Sequence, residues 1–323
     1  GFWPALVSIG IGFSRVGDDA RALQFLRRAF EADPFNIQAF TMVELWEGAL
    51  NDYLYVDDAE IAGLRYRFHR DESPVLSRYV PPAIRNAWRQ YELRYGLTPD
   101  PPVSIEMFAD GATFSIRSVG VPWAMQSGIC FGHVVTARSP GEQPYNWQQT
   151  VEHELSHVFS LQASRSRVPR WFTEGLAEYD TILANDAWRR DDDLGIVRAL
   201  QSNRLLGVDA LNRAFVVFER PEQVLEAYHQ ASLVVEFIGE RWGYPALVAM
   251  LRAWGDSNAT HDVFEDVLGL SVEAFDAAFE EAMRTRFARL LGLLEPTPWT
   301  WALDAARAAA DDHPNDPAAL ARL

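Results

Sequence analysis

The sequence places two histidines four residues apart around a glutamate, His153-Glu154-Leu155-Ser156-His157, inside the stretch TVEHELSHVF. On an α-helix, residues four apart lie about 40° apart around the axis, so His153 and His157 can present their imidazoles to one point in space. Zinc takes nitrogen ligands at about 2.0–2.1 Å in tetrahedral geometry, and this spacing supplies two of them. Glu154 stands about 100° round from His153, too far for a natural third ligand but near enough to touch a water at the metal. A fold built on this pattern must therefore bring a further ligand from a neighbouring element.

That element is readable downstream. PRWFTEGLAEYD follows, with Glu174 near the start of a second helix that a short turn at Val168-Pro169 can fold back against the first. A carboxylate there closes a ligand set of two histidines and one glutamate and leaves the fourth position to water, the arrangement of a catalytic site. Glu178 lies one turn beyond Glu174. It reads either as the acceptor of a ligating histidine's free ring N–H, which fixes the tautomer, or as a surface glutamate.

Around these motifs the chain reads as α+β. Residues 5–36 hold two helical patterns joined at Gly17-Asp18 and closed by Pro34; Leu6, Ile9, Gly10, Phe13, Ala22, Leu26 and Ala29 fall on signature positions of the tetratricopeptide repeat, whose period is about 34 residues. The C-terminal WALDAARAAADDHPNDPAALARL places Ala302, Ala306, Ala309 and Pro314 on second-helix positions of such a repeat, and Leu320 and Leu323 on the start of another. A repeat unit cannot bury its apolar face alone, so the flanks read as pieces of a longer array. Residues 61–69 and 103–109 alternate like half-buried strands, with a helix carrying Ile84, Trp88, Tyr91 and Tyr95 between them. A loop at 111–128 leads to a third strand at 128–137. From Trp147 to about Leu291 helical patterns dominate: 147–163, 170–184, 194–204, 222–241, 245–254, 260–267 and 272–290. Asp191, Asp192 and Asp193 read as a solvated N-terminal helix turn. The division expected is 1–50 repeat-like helices, 51–145 a small mixed-sheet subdomain with edge strand 128–137, 146–291 a helical metal-binding subdomain, and 292–323 further repeat-like helices.

Charge and composition exclude some partners. The 323 residues carry a formal net charge of −16, which repels phosphate backbones and anionic lipid surfaces, so no nucleic-acid partner is expected. No run of about 18 apolar residues is present, so no membrane span is expected. The single cysteine, Cys130, excludes an internal disulfide and a thiolate zinc cluster and reads as a small buried hydrophobe. The chain opens on Gly1 within a helix-like pattern, without an initiator Met or a signal region, and is expected to be part of a longer protein whose compartment is unreadable.

HELSH followed by WFTEGLAEY resembles the gluzincin metallopeptidases, in particular the bacterial peptidase MA-like group related to the aminopeptidase N catalytic domain. AYHQASLVVEFIGERWG at 227–243 extends the resemblance, which covers about residues 52–290. It implies a mainly helical zincin-like fold and one zinc ion held by His153, His157 and Glu174. It also implies Glu154 as general base of peptide hydrolysis and Tyr228 as hydroxyl donor to the oxyanion. A peptide or protein substrate follows, paired as an added strand along 128–135. His133 reads as a structural strand histidine or as a lining of that groove, and His229 as a polar contact near the oxyanion. His69, His261 and His313 read as incidental. One departure bears on specificity: GICFGHVV stands where aminopeptidases of that superfamily carry a Gly-x-Met-Glu-Asn element, so aminopeptidase specificity is not expected. The competing reading is a catalytically inactive peptidase-like scaffold whose tetratricopeptide segments bind a protein partner.

Overall fold

The computed structural model describes residues 2–123, 126–190, 192–217, 221–293 and 306–312. Its contacts divide the chain into two compact units: Gly1–Asp191 with Asp209–Val272, and Asp192–Val208 with Glu273–Leu323. The first unit contains every residue of the predicted site.

The first unit opens with three helices, α1 (Trp3–Arg15), α2 (Asp19–Ala32) and α3 (Ile37–Glu47). Asp18 and Asn36 cap α2 and α3 by accepting the N–H groups of Arg21 and Ala39, satisfying donors that a helix start otherwise leaves bare. Ala22, Leu26 and Ala29 are buried between α1 and α2, whereas Ile9 is 41% exposed. The third helix was not anticipated by the sequence pattern.

A five-stranded mixed sheet follows, ordered β1 (Tyr53–Asp57), β2 (Leu64–His69), β3 (Val103–Phe108), β5 (Val134–Arg138) and β4 (Gly128–Cys130). The β2–β3 and β3–β5 pairs are parallel; β1–β2 and β4–β5 are antiparallel. The parallel crossovers run through α4 (Ser73–Tyr95) and α5 (Gly111–Val119), as parallel pairing requires. Three sequence expectations need correction. The strand at 61–69 starts only at Leu64, and β1 precedes it. The loop at 111–128 contains α5, whose start Asp110 caps by accepting the N–H of Thr113 at 2.8 Å and whose core face is Phe114. The strand at 128–137 is a hairpin: Gly132, at φ +87°, turns the chain between β4 and β5, so only β4 is an edge and β5 lies inside the sheet.

Buried charge ties the helical pair to the sheet. Arg117 of α5 is fully buried and sets its Nε 2.8 Å from Glu106 Oε2 on β3. Its Nη1 donates to Ser14 Oγ at 2.8 Å, and Arg67 of β2 donates to Asp19 Oδ2 at 2.8 Å.

The remainder of the first unit is helical: α6 (Trp147–Ala163), α7 (Arg170–Ala184), α10 (Pro221–Trp242), α11 (Tyr244–Gly255) and the single turn α12 (Thr260–Val263), with α9 (Val208–Ala214) begun at the unit boundary. Phe159 of α6 packs its ring within 5.2–5.6 Å of Trp88, Tyr91 and Tyr95 on α4. In the second unit, α8 (Asp193–Gln201) lies against α13 (Val272–Arg286): Arg284 donates to the Leu200 carbonyl at 3.1 Å and to Asn203 Oδ1 at 3.2 Å. The short α14 (Ala288–Leu293) and a helical stretch at 306–312 complete it. Ala302, Pro314, Leu320 and Leu323, which carried most of the C-terminal repeat reading, lie outside the described residues, as do His313 and Asp191. Among the described residues no helix is long and apolar enough to cross a membrane.

Candidate metal centre

α6 and α7 are the two elements that build the site. Asn146 caps α6 by accepting the Gln149 N–H at 3.3 Å, and Val151, Leu155, Val158 and Phe159 bury one side. That registration leaves His153 and His157 on a common face, their rings 4.9 Å apart and nearly perpendicular. The chain then turns through Arg165 and Ser166, both at positive φ, and α7 returns after Pro169. Gly175 lets α7 press onto α10, since a Cβ there would stand 2.4 Å from the Ala231 carbonyl oxygen.

The return brings Glu174 to both histidines. Glu174 Oε2 lies 3.5 Å from His153 Nε2 and 3.3 Å from His157 Nε2, and one donor atom from each of the three residues lies within 4.8 Å of the others. Ligands at about 2.05 Å on tetrahedral vertices stand about 3.3 Å apart, and the two Glu174–histidine separations match that edge for an ion of zinc's size. The other ring nitrogens are engaged elsewhere. His157 Nδ1 lies 2.9 Å from Thr173 Oγ1 and His153 Nδ1 lies 3.3 Å from Glu178 Oε1, which holds both Nε2 atoms toward the common point.

Two arginines frame these carboxylates. Arg170 Nε lies 3.3 Å from Glu174 Oε1, the oxygen turned away from the histidines, and Arg190 Nη2 donates to Glu178 Oε1 at 2.7 Å. Both also reach Tyr228. Burial raises the pKa of its hydroxyl and the Arg170 charge opposes that, while the Arg190 guanidinium lies over its ring at 5.3 Å, with Phe215 edge-on at 5.0 Å.

The electrostatics show a region that demands positive charge. Burial raises Glu174, but hydrogen bonds from His153 and His157 outweigh it and hold the carboxyl well below the ordinary range. Burial likewise raises Glu178, and His153 and Arg190 bring it down to about 2. Burial opposes charge on His153, yet Glu174 and Glu178 push its pKa up to about 10. Protons are held where a cation would serve the same carboxylates. Glu154 differs: burial pushes its carboxyl up, against the lowering by His153, His157 and the Cys130 N–H. A carboxylate of raised proton affinity is suited to taking a proton.

Glu154 is held by the sheet edge. A Cβ at Gly128 would come within 2.8 Å of Glu154 Cγ and of Thr150 Cγ2, so β4 can lie this close only with glycine there. Gly128, His153, Glu154, Glu178, Arg190 and Tyr228 all line one cleft of about 640 Å³. Four sequence candidates are not among its lining residues: His157 and Glu174, which meet His153 at its edge, and His133 and His229. His133 sits in the β4–β5 turn region with Nδ1 3.2 Å from the Pro102 carbonyl oxygen, and His229 is 2% exposed inside α10.

Sequence reasoning missed Arg170, Thr173 and Arg190. Arg170 carried a signal, being four residues before Glu174 on one helix; Arg190 sits in a loop and carried none. The first unit's network also includes Asp180, fully buried, which accepts from Ser156 Oγ and the Tyr95 hydroxyl, both at 2.7 Å, from the Tyr244 hydroxyl at 2.9 Å and from Arg94 Nη1 at 3.2 Å. It fastens α6, within its histidine motif, to α7, α4 and α11.

No curated protein matches the chain. The family model described as the Peptidase MA superfamily matches residues 91–285, more than half of the sequence and all of the residues gathered at the cluster. The chain belongs to the Peptidase MA superfamily.

Proposed function

We propose that this protein is a zinc-dependent peptidase of gluzincin type, with His153, His157 and Glu174 holding one zinc ion. The observation that carries the reading is the convergence of the two Nε2 atoms on one carboxylate oxygen at 3.3 and 3.5 Å, with one donor atom from each of the three residues within 4.8 Å of the others and each opposite imidazole nitrogen already engaged. Bound zinc would polarise the scissile carbonyl and make water a nucleophile near neutral pH.

The chain's own residues do the remainder. Glu154, with the bare backbone of Gly128 against its side chain, takes a proton from the attacking water and delivers it to the leaving amine. The Tyr228 hydroxyl, its ring held between Arg190 and Phe215, donates a hydrogen bond to the oxygen that gains charge. Glu178 and Thr173 keep the imidazoles oriented. An extended peptide or protein substrate adds to the free side of β4, where main-chain hydrogen bonds give affinity without demanding one sequence. The domain division at 50, 145 and 291 belongs to the same reading. So does recruitment of a protein partner by tetratricopeptide-like helices, which the exposed Phe35, Ile37 and Phe40 support.

The test is cleavage of an unfolded generic protein together with elemental metal analysis. Wild type is expected to hold one zinc per chain and to lose cleavage with a chelator, and Glu154→Gln to keep the zinc and lose cleavage. Undiminished cleavage by Glu154→Gln at full metal content refutes the base assignment. Wild type that holds zinc and cleaves nothing leaves the inactive-scaffold reading in its place.

A further inference from the structure

A second crevice, of about 400 Å³, opens beside the metal cleft, and Trp188 stands in the wall of both. Its floor carries two opposite charges. Glu152, one residue before His153 but on another side of α6, is 3% exposed. Gln148 Nε2 donates to its Oε1 at 2.8 Å, while the Tyr91 hydroxyl donates past it to the Glu152 carbonyl oxygen at 3.2 Å. No other hydrogen bond or ion pair to this carboxylate occurs among the described residues, so Oε2 remains an acceptor on the crevice floor. Arg94 also lines the crevice and gives only Nη1 to Asp180. Arg94 and Glu152 line the same crevice, yet among the described residues no ion pair within 4.0 Å joins them. The pair is held apart across one opening, with Leu183, Ala184 and Trp188 as an apolar side wall.

We propose that this crevice binds a free α-amino acid with an apolar side chain, its ammonium on Glu152, its carboxylate on Arg94 and its side chain against Leu183 and Trp188. Leaving a buried carboxylate without a full set of donors is costly, and a zwitterion matches both floor charges in one small molecule. A simple alkylamine meets only Glu152; a carboxylic acid meets Arg94 but is repelled by Glu152. The volume lies within the range of ordinary small-molecule sites. The site does not rest on the peptidase reading, but it is joined to the cleft: Gln149 Nε2 donates to the Trp188 carbonyl at 2.9 Å, and Arg190, two residues on, holds Glu178. Free amino acids are what complete peptide hydrolysis releases, so occupancy would let product bear on the cleft.

The test titrates the whole chain with L-leucine, following tryptophan fluorescence and binding heat, both zinc-loaded and chelator-treated. Saturable binding is expected in both states, weakened by roughly tenfold or more for N-acetyl-leucine, leucinamide and isoamylamine. The same loss is expected in Glu152→Gln, and in Ala184→Phe, which fills the crevice from an exposed position; circular dichroism checks both folds. Absence of saturable leucine binding overturns the proposal. So does binding of leucinamide, N-acetyl-leucine or the amine as tight as that of leucine. Leucine binding that disappears with the chelator places the ligand on the metal cluster and also overturns it, as does full binding by a natively folded Ala184→Phe.

Discussion

At the scale of single residues, the site separates groups that would hold the ion from groups that aim them. Glu178 contacts His153 through the nitrogen facing away from the cluster, so Glu178→Gln is expected to keep the fold and weaken zinc affinity roughly 10–100-fold. Competition against a chromophoric chelator reads this directly, and an unchanged affinity would return Glu178 to a structural role. On the proposed mechanism Gly128 acts through Glu154. Gly128→Ala would set a methyl within 2.8 Å of Glu154 Cγ, and displacing a proton-transfer group by about 1 Å costs on the order of 10²-fold in rate. The expected outcome is full zinc content with kcat reduced by that order; an unaltered kcat would mean that the edge strand does not set the base.

At the scale of elements, the distance between α6 and α7 is fixed by Asp180, whose carboxylate meets three hydroxyls and Arg94 in the interior. Removing one member of a buried charged network leaves the others unsatisfied and costs about 3–5 kcal/mol. Asp180→Ala is expected to lower urea stability by that amount; a loss under about 1 kcal/mol would show that helix packing alone holds the elements together. The link between β2 and α4 gives a pH-dependent case. Burial raises the Asp58 carboxyl, but the N–H groups of Glu60 and Ile61, the Tyr66 hydroxyl and Arg85 outweigh it and hold it below its ordinary value. A depressed folded-state pKa contributes stability that is present above the unfolded carboxylate value of about 3.9 and lost as pH falls through the folded one. Wild type should therefore lose its stability advantage over Asp58→Asn on acidification below about pH 4. Urea midpoints measured across that range check it: a constant difference would show that Asp58 does not titrate against the fold.

At the scale of the molecule, the N-terminal helices of the first unit are fastened to the sheet by charge. Arg117, wholly buried, needs Ser14 as well as Glu106, and Arg67 needs Asp19. Truncation of residues 1–50 would strip these partners from buried arginines and open the faces of Phe108 and Phe114 that pack with Leu45 and Leu50. The truncated chain is expected to melt well below the full chain or to aggregate. Thermal melting decides it, and a truncated chain with an unchanged midpoint would show the helices to be a separable repeat.

The sequence by itself determined the local chemistry: the four-residue histidine spacing, Glu154 between them, Glu174 and Glu178 one helical turn apart, and the periodicity of α6, α7 and α10. These are legible because helix geometry converts sequence spacing directly into direction. It determined less at 111–137, where glycine and serine resemble loop signals although Asp110 caps a helix there, and where a continuous apolar run conceals a hairpin turning at Gly132. Only the tertiary structure decided that Arg190 reaches Glu178, that Gly128 lies against Glu154, and that Glu152 and Arg94 share a second crevice beside the cleft that His153 lines. Such pairs join residues far apart in the chain, and their meeting depends on how helices and strands pack, for which no spacing along the sequence is a measure.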